Sequence, residues 1–420
     1  MQRISYFKTI GLALVSLFLV VSIIMFPKQA FDASVKGLSI WWEVVFPAQL
    51  PFFITAELLM GFGVVHFVGI LLEPLMRPLF RVPGVGGFVM SMGLASGYPM
   101  GAKITVRLRE QELISRTEGE RLVCITSTSG PLFMIGAVAV GFFHDASLGI
   151  IIAAAHYISA ICVGLIMRFH GNKNMDRSIN LHDLMASNNG SVSKSILLRA
   201  LQGMHRARIQ DGRPMGTLMG DAVKSSLQTL FMIGGFIIMF SVLINILSIV
   251  GIRQLLTALL SVFLFPLGMN TELIAAISAG LFEITLGAQL ASEAAGNPLV
   301  YQVAVAGAII AWSGLSVHAQ VASMLADTDI RYYPYIVARM LHSFLVFLWT
   351  FILWNPIQRF IGTVIPTFRP AFAADAVQRW DGYAYFSYSL LFLFILLSVL
   401  CLFVFLAQYM AKRKKAALDR

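Results

Sequence analysis

The sequence predicts an all-α polytopic membrane protein built from two inverted repeats, each with a re-entrant hairpin and a broken transmembrane helix. Two features of composition predict the membrane: 58% of the 420 residues are hydrophobic and only 12% are charged, and the mean hydropathy is +0.79. That charged share is about half that of a typical soluble domain. A third feature, similarity between the two halves of the chain, predicts the repeats.

The charge and cysteine patterns narrow the function further. The formal net charge is +10, but the basic residues cluster between apolar segments and at the two ends, as topology signals do in membrane proteins. Nucleic-acid binding is therefore not expected. Cys124, Cys162 and Cys401 lie in apolar segments without C-x-x-C spacing, so we interpret them as packing residues and expect no metal and no cofactor.

The first apolar segments predict a span, a kinked region and an interfacial element. Ile10–Phe26 is longer than the roughly 7–15 apolar residues of a secretory signal, which predicts an uncleaved first span. Pro47 and Pro51 interrupt the next apolar stretch and should bend or break its helix. The proline- and arginine-containing segment Leu71–Gly84 has the pattern of an amphipathic element in the membrane interface.

Two further segments of the first half are interrupted by glycine, proline and hydroxyl residues. Val85–Leu113 breaks at G-L-A-S-G-Y-P-M-G-A-K, which spans Gly93–Lys103. Leu122–Phe143 breaks at T-S-T-S-G-P, which spans Thr126–Pro131. We expect the first interruption to form a hairpin and the second to form a broken helix, before an ordinary span at Leu148–Phe169.

A polar region separates the halves. Arg168–Lys224 contains nine Lys or Arg and four Asp, so the positive-inside rule predicts that it and both termini face the cytoplasm. The predicted organisation is a membrane half at 1–168, a cytoplasmic basic linker at 169–223 and a second membrane half at 224–420. We expect roughly eight full spans plus two hairpins.

The second half has the same layout as the first. Its apolar segments are Leu227–Val250, Leu255–Leu267, Glu272–Ala291 with a break at Glu283, Leu299–Met324 with a break at Ala311–Gln320, and the closing spans Tyr335–Trp354 and Phe386–Tyr409. Short matches relate the two halves: Gly93-Leu94 to Gly280-Leu281, Gly101-Ala102-Lys103 to Gly287-Ala288-Gln289, and Ser129-Gly130 to Ser313-Gly314. Corresponding interruptions in two halves indicate the midplane site of a secondary transporter.

The polar side chains at these interruptions form the predicted site. Glu283 is either a proton, ion or substrate group or a structural hydrogen-bonding partner, because a charge inside an apolar segment is costly. Lys103 either neutralises an anionic substrate or extends to the surface, and His318 is either a proton relay or a satisfied hydrogen-bonding group. The predicted substrate-binding residues are Ser96, Gly97, Tyr98, Lys103, Ser127, Thr128, Ser129, Gly130, Glu283, Thr285, Gln289, Ser313, Ser316, His318 and Gln320.

The sequence contains no motif that would make it an enzyme or an ATP-driven pump. G-x-S-x-G, H-E-x-x-H and the P-loop pattern GxxxxGK[ST] are all missing from the 420 residues. We therefore expect a gradient-driven or passive transporter and no catalytic residue.

Three blocks carry a resemblance to a known family. At W-W-E-V-V-F-P-A-Q-L-P-F-F (Trp41–Phe53), L-L-E-P-L-M-R-P-L-F-R-V-P-G and G-L-A-S-G-Y-P-M-G-A-K, the chain resembles the YlbJ (SpoVV) family of sporulation integral membrane proteins. That group carries the Gate-type nucleoside-recognition domain and is similar in layout to concentrative nucleoside transporters. The resemblance implies inverted halves with a hairpin and a broken helix in each.

The resemblance also implies a substrate and a location. It implies export of dipicolinic acid from the mother cell across the outer forespore membrane, by a multi-pass cell-membrane protein that works by alternating access. Coupling would be to protons or sodium, the surroundings are membrane lipid, and related architectures are often homo-oligomers. A nucleoside or other small-metabolite carrier and a non-transporting scaffold for spore assembly remain alternatives.

Overall fold

The protein is all-helical. The computed structural model describes residues 2–171, 196–294 and 296–364, and these residues form helices without a β-strand. Four of the helices are long and apolar enough to cross a membrane, or up to six if each of two bent helix pairs is one span. The prediction of an all-α polytopic membrane protein is confirmed. The predicted span Phe386–Tyr409, Cys401 and linker residues 172–195 lie outside the described residues.

The first half contains eight α-helices and two π-helical segments among its described residues. The α-helices are α1 Gln2–Met25, α2 Pro27–Ile40, α3 Phe46–Gly61, α4 Val64–Phe80, α5 Val85–Ser96, α6 Met100–Glu110, α7 Arg116–Thr126 and α8 Ala146–Met167. The π-helical segments are Trp41–Val45 and Leu132–Phe142. Gly63, with φ of 77°, lies at an 82° bend between α3 and α4.

Eight further α-helices lie between residues 196 and 364. They are α9 Ile196–Asp211, α10 Met215–Ile249, α11 Ile252–Leu264, α12 Thr271–Gly280, α13 Ile284–Glu293, α14 Leu299–Trp312, α15 Gly314–Leu325 and α16 Tyr333–Val364. Residues 265–267 form a short 3₁₀ turn. Residues 196–211 of the predicted linker are therefore helical, and the first helix of the second half begins at Met215.

Side-chain caps explain several of the short helices. Ser115 and Glu118 form a reciprocal capping box at the start of α7, which satisfies two backbone N–H groups that the first turn leaves unpaired. Asn270 caps α12 and Glu283 caps α13 in the same position. The short half-helices next to the interruptions therefore begin at defined residues.

The two halves share their core. Val138 and Ile152 of the first half belong to one buried cluster with Ile309 and Val321 of the second. Helix α10 packs against α2 and α3, and α16 packs against α8 as well as α14. Each half therefore buries apolar surface against the other.

Ion pairs join the halves at the end where α6 connects to α7. Arg109 donates two hydrogen bonds to the carboxylate of Asp329, at 2.9 and 3.0 Å. The fully buried Glu120 accepts from Arg331 at 2.6 and 2.9 Å and pairs with His170 at 2.7 Å. Both ion pairs link the first half to the loop between α15 and α16.

Candidate functional site

The helices are interrupted where the sequence predicts. Residues 97–99 separate α5 from α6, and residues 127–130 separate α7 from the π-helical segment. In the second half, residues 281–283 separate α12 from α13, and Ser313, with φ of 79°, divides α14 from α15. We call residues 96–98 and 281–285 the two tips, and residues 127–130 and 313–316 the two breaks.

Each tip packs against the break of its own half. In the first half, a Cβ added to Gly97 would lie 2.5 Å from the backbone nitrogen of Gly130. In the second half, the backbone N–H of Leu315 donates to Leu281 at 2.8 Å and that of Ser316 donates to Phe282 at 3.0 Å. In the second half, backbone that has left the helical pattern is thus paired with other backbone, as a membrane interior requires.

One cavity of about 490 Å³ contacts both tips and both breaks. Of the predicted site residues, Ser96, Gly97, Tyr98, Ser129, Gly130, Glu283, Thr285, Ser316 and Gln320 line it. The structure therefore brings together nine residues from four separate parts of the sequence. The volume lies within the range of small-molecule sites.

Glu283 both caps a helix and lines the cavity. Its side chain accepts a hydrogen bond from the backbone N–H of Leu286 at 2.8 Å, so it caps α13. It is 8% exposed and contributes to the cavity wall. The carboxylate therefore holds the second tip and remains available to a ligand.

Lys103 does not line the cavity. Its ammonium group lies 3.0 Å from the carboxylate of Glu57 and 5.2 Å from the centre of the Phe53 ring. Ser225 also donates to Glu57, at 2.8 Å. The lysine charge is thus compensated by helix α3, and a substrate in the cavity would have to be neutralised by other groups.

His318 also lies outside the cavity wall. Its Nδ1 is 2.7 Å from the Tyr332 hydroxyl and its Nε2 is 2.9 Å from the carbonyl oxygen of Trp312. Both ring nitrogens therefore have protein partners, which is the arrangement of a satisfied hydrogen-bonding group. The remaining predicted residues that do not line the cavity are Ser127, Thr128, Gln289 and Ser313.

Several wall residues were not in the predicted set. They come from the first helices and from α10, and include Glu43, Gln49, Phe52, Ile233 and Ile237. Gln49 donates to the carbonyl oxygen of Tyr98 at 3.4 Å, so it contacts the first tip. The glutamate and glutamine within W-W-E-V-V-F-P-A-Q-L-P, polar residues in an apolar segment, are the signal that could have identified this wall.

A buried basic cluster lies behind the first break. Arg339, His342 and His156 are each fully buried, and the two imidazole rings are 4.5 Å apart. The sequence analysis did not select them, although arginine and histidine within the apolar helix α16 are the kind of residue that marks a functional site in a membrane protein. Ser129 connects the cluster to the cavity, because its backbone N–H donates to His156 Nε2 at 3.0 Å.

The fold and the cavity define a polytopic membrane protein whose interrupted helices surround a largely apolar pocket with a few polar side chains in its wall. Residues 42–146, which include the first tip and the first break, match the Gate family, described as nucleoside recognition. The chain is 47% identical over 356 residues, 85% of each chain, to the sporulation integral membrane protein YlbJ of Bacillus subtilis (strain 168). It therefore belongs to the YlbJ family of sporulation integral membrane proteins.

Proposed function

We propose that this protein is a secondary transporter that exports dipicolinate from the mother cell across the outer forespore membrane. The observation that carries the proposal is the single cavity lined by both tips and both breaks. Non-helical backbone inside a membrane is tolerated where it is buried or lines a cavity, and in transporters such segments form the substrate site. The name of the Bacillus subtilis relative supports a role in sporulation.

The chemistry of the cavity suits a small planar aromatic acid. Dipicolinate has one ring and two carboxylates, and the wall offers the rings of Tyr98 and Phe133 together with the polar side chains of Ser129, Ser316 and Gln320. Aromatic rings pack on a planar ligand, and hydroxyl and amide groups donate hydrogen bonds to carboxylate oxygens. Glu283 is the group we assign to a coupling proton or sodium ion.

We further propose that the two halves are inverted repeats that work by alternating access. In this mechanism the tips are re-entrant hairpins, and the two ends of the cavity open in turn. The ion pairs Arg109–Asp329 and Arg331–Glu120 are then the contacts that close one end. Arg109 lies near the far end of α6, an 11-residue helix, and hence roughly 16 Å from the first tip at 1.5 Å per residue.

A direct experiment is uptake of radiolabelled dipicolinate by proteoliposomes that contain the purified full-length chain. We expect saturable uptake that Ser129→Ala and Glu283→Gln reduce. In cells, the chain should restore spore dipicolinate to a Bacillus subtilis strain that lacks its YlbJ relative, whereas the two variants should leave dipicolinate in the mother cell. A normal dipicolinate content in spores of the deletion strain would rule out dipicolinate as the substrate.

A nucleoside carrier is the second candidate, and one observation favours it. The match to a family described as nucleoside recognition covers the first tip and the first break. Uptake of labelled uridine or adenosine in the same proteoliposomes separates the two substrates. Variants distinguish a transporter from a scaffold. A scaffold would fail to support spore assembly after deletion of residues 172–195, whereas Ser129→Ala and Glu283→Gln would have no effect on it.

A further inference from the structure

The side chain of Arg339 caps the C-terminal end of α7, the helix that leads into the first break. It is 0% exposed, and its guanidinium donates to the carbonyl oxygens of Cys124 and Ser127. These carbonyls lie at the C-terminal end of α7, where the helix stops and its last carbonyls have no helical partner. Arg339 therefore fixes the backbone that leads into the first break.

Its charge is only partly compensated. The C-terminal end of a helix carries about half a negative charge, and within the described ranges no carboxylate forms an ion pair with Arg339. A guanidinium always donates, so His342 accepts from it through Nδ1 at 2.9 Å and donates through Nε2 to the carbonyl oxygen of His156 at 3.0 Å. His342 is therefore neutral and adds no negative charge.

A neutral donor would have been sufficient to cap the helix. An asparagine or glutamine amide can donate to two carbonyls, whereas a cation inside a membrane segment carries a desolvation cost that a neutral amide avoids. The Tyr335 ring, 5.5 Å from the guanidinium carbon, offsets part of that cost. The retained charge thus indicates a role that hydrogen bonding alone does not explain.

The charge lies directly behind the cavity wall. Ser127, which accepts from Arg339, is two residues before Ser129, and Ser129 and Gly130 line the cavity. The same wall is held a second time by His156, which accepts from the Ser129 backbone N–H and whose carbonyl oxygen accepts from His342. Arg339 and the two histidines therefore position one continuous stretch of the wall.

The cavity itself offers an anion no cation. Among the described residues that line it there is no Lys or Arg, whereas Glu43 and Glu283 are both present. Lys103 is paired with Glu57. A carboxylate ligand bound against the first break would therefore meet positive potential from Arg339 behind the wall, whereas an uncharged ligand of the same shape would gain nothing from that charge.

We propose that Arg339 is the positioning residue that makes this cavity select carboxylates over uncharged ligands. It acts through the Ser127–Gly130 backbone, which it holds in place, and through its charge, which reaches a carboxylate bound against Ser129 and Gly130. The inference rests on the proposed function, because it concerns the ligand of that same cavity. Beyond the proposed function, it identifies the residue from which the preference for anions arises.

The test compares two ligands of one shape. Binding of dipicolinate and of its uncharged analogue pyridine-2,6-dicarboxamide is measured with the purified full-length protein at pH 7. We expect Arg339→Gln to lower the dipicolinate-to-diamide affinity ratio about tenfold, the effect of one charge about 12 Å from a carboxylate at an effective dielectric of about 20. Arg339→Lys keeps the charge and should keep most of the ratio.

Arg121 provides a matched control. It is also fully buried and also donates to carbonyl oxygens, those of His170 and Arg81, but these lie away from the cavity wall. Arg121→Gln should therefore reduce thermal stability without changing the ligand ratio. If Arg339→Gln does not fold, Arg339→Lys carries the test through the same ratio.

The outcomes separate the inference from the proposed function. An Arg339→Gln variant that weakens both ligands equally, or an Arg339→Lys variant that loses the ratio, would overturn the selectivity role and leave the proposed substrate intact. Wild-type protein that binds neither ligand would overturn the proposed function and this assignment with it.

Discussion

The α-carbon of Gly97 faces the backbone nitrogen of Gly130, so closely that a Cβ on Gly97 would lie 2.5 Å from that nitrogen. Gly97 also has φ of 85°, a backbone conformation that L-residues with a side chain rarely adopt. The two glycines thus meet where the first tip contacts the first break, and both line the cavity. The shape of the wall depends on this contact between two backbones.

Gly97→Ala should therefore separate the tip from the break. We expect a loss of roughly 1–3 kcal/mol in the free energy of unfolding, from overpacking, and a loss of dipicolinate uptake that exceeds the loss of folded protein. Uptake per folded molecule in proteoliposomes is the measurement. Gly235→Ala is the matched control, because a Cβ there would meet no atom within 4 Å. Equal uptake by the two variants would mean that this contact does not shape the site.

Glu283 can be replaced by a residue that removes its charge but keeps its hydrogen bond to Leu286. The amide oxygen of Gln can still accept from the Leu286 N–H, so Glu283→Gln should preserve the cap of α13, whereas Glu283→Ala should cost about 0.5–2 kcal/mol of stability. If Glu283 carries the coupling ion, Glu283→Gln should abolish the acceleration of uptake by a proton or sodium gradient. Uptake is measured with and without each gradient.

Glu293, at the other end of the same helix, serves as the control. Gln289 donates to it at 3.0 Å, and it does not line the cavity. Glu293→Gln should therefore leave the gradient dependence unchanged. A Glu283→Gln variant that still responds to both gradients would assign coupling to another residue.

The sequence predicted the positions of the interruptions because their chemistry is local. Gly97, Pro99 and the S-T-S-G-P run end helices regardless of the rest of the fold, and polar residues at such points predict a cavity in a membrane protein. Nine of the fifteen predicted site residues line that cavity. Most of them lie at or next to an interruption, although Ser127, Thr128 and Ser313 also lie at interruptions and do not line the cavity.

The other wall residues depend on tertiary packing that no local pattern specifies. Ile233 lies in the middle of an apolar helix, where the sequence alone gives no reason to distinguish a cavity wall from a lipid-facing surface. Lys103 lies close after the first tip in the sequence, but α6 directs it towards α3 and Glu57. Glu57 is 46 residues from Lys103 in the sequence, so only the packing of the helices makes the two residues partners.

The Lys103–Glu57 pair should behave as a structural unit. The side chains are 14% and 12% exposed, so removal of one partner leaves a poorly solvated charge, which is more costly than removal of both. We expect Lys103→Met and Glu57→Gln each to lower the melting temperature, and the double variant to recover much of the loss. The measurement is thermal unfolding of the three purified variants.

The same variants test the alternative role of Lys103. If Lys103 neutralised the substrate, the double variant would recover its stability but not its affinity for dipicolinate. We expect affinity to return with stability, since Lys103 does not line the cavity. Lys28→Met, at an exposed position of α2 in the same half, gives the effect of removing a lysine charge alone.

The Arg109–Asp329 pair has a pH dependence whose sign follows from its geometry. The two hydrogen bonds from Arg109 lower the pKa of Asp329 from its usual 3.8. A carboxylate with a lowered pKa contributes stability that is present above the unfolded value of 3.8 and is lost as pH falls through the lower folded value. Because Asp329 is about half exposed, solvent screening limits the contribution to roughly 0–1 kcal/mol.

Asp329→Asn should accordingly lower the melting temperature by a constant, small amount between pH 8 and 5, and the difference from wild type should disappear well below pH 3.8, where the wild-type carboxyl is also neutral. Asp327→Asn, an exposed position of the same loop, controls for loss of a surface charge. The double reversal Arg109→Asp with Asp329→Arg should restore the stability that either reversal removes. If it does not, the pair contributes nothing to holding the two halves together at this end, and its role in closing the cavity loses its support.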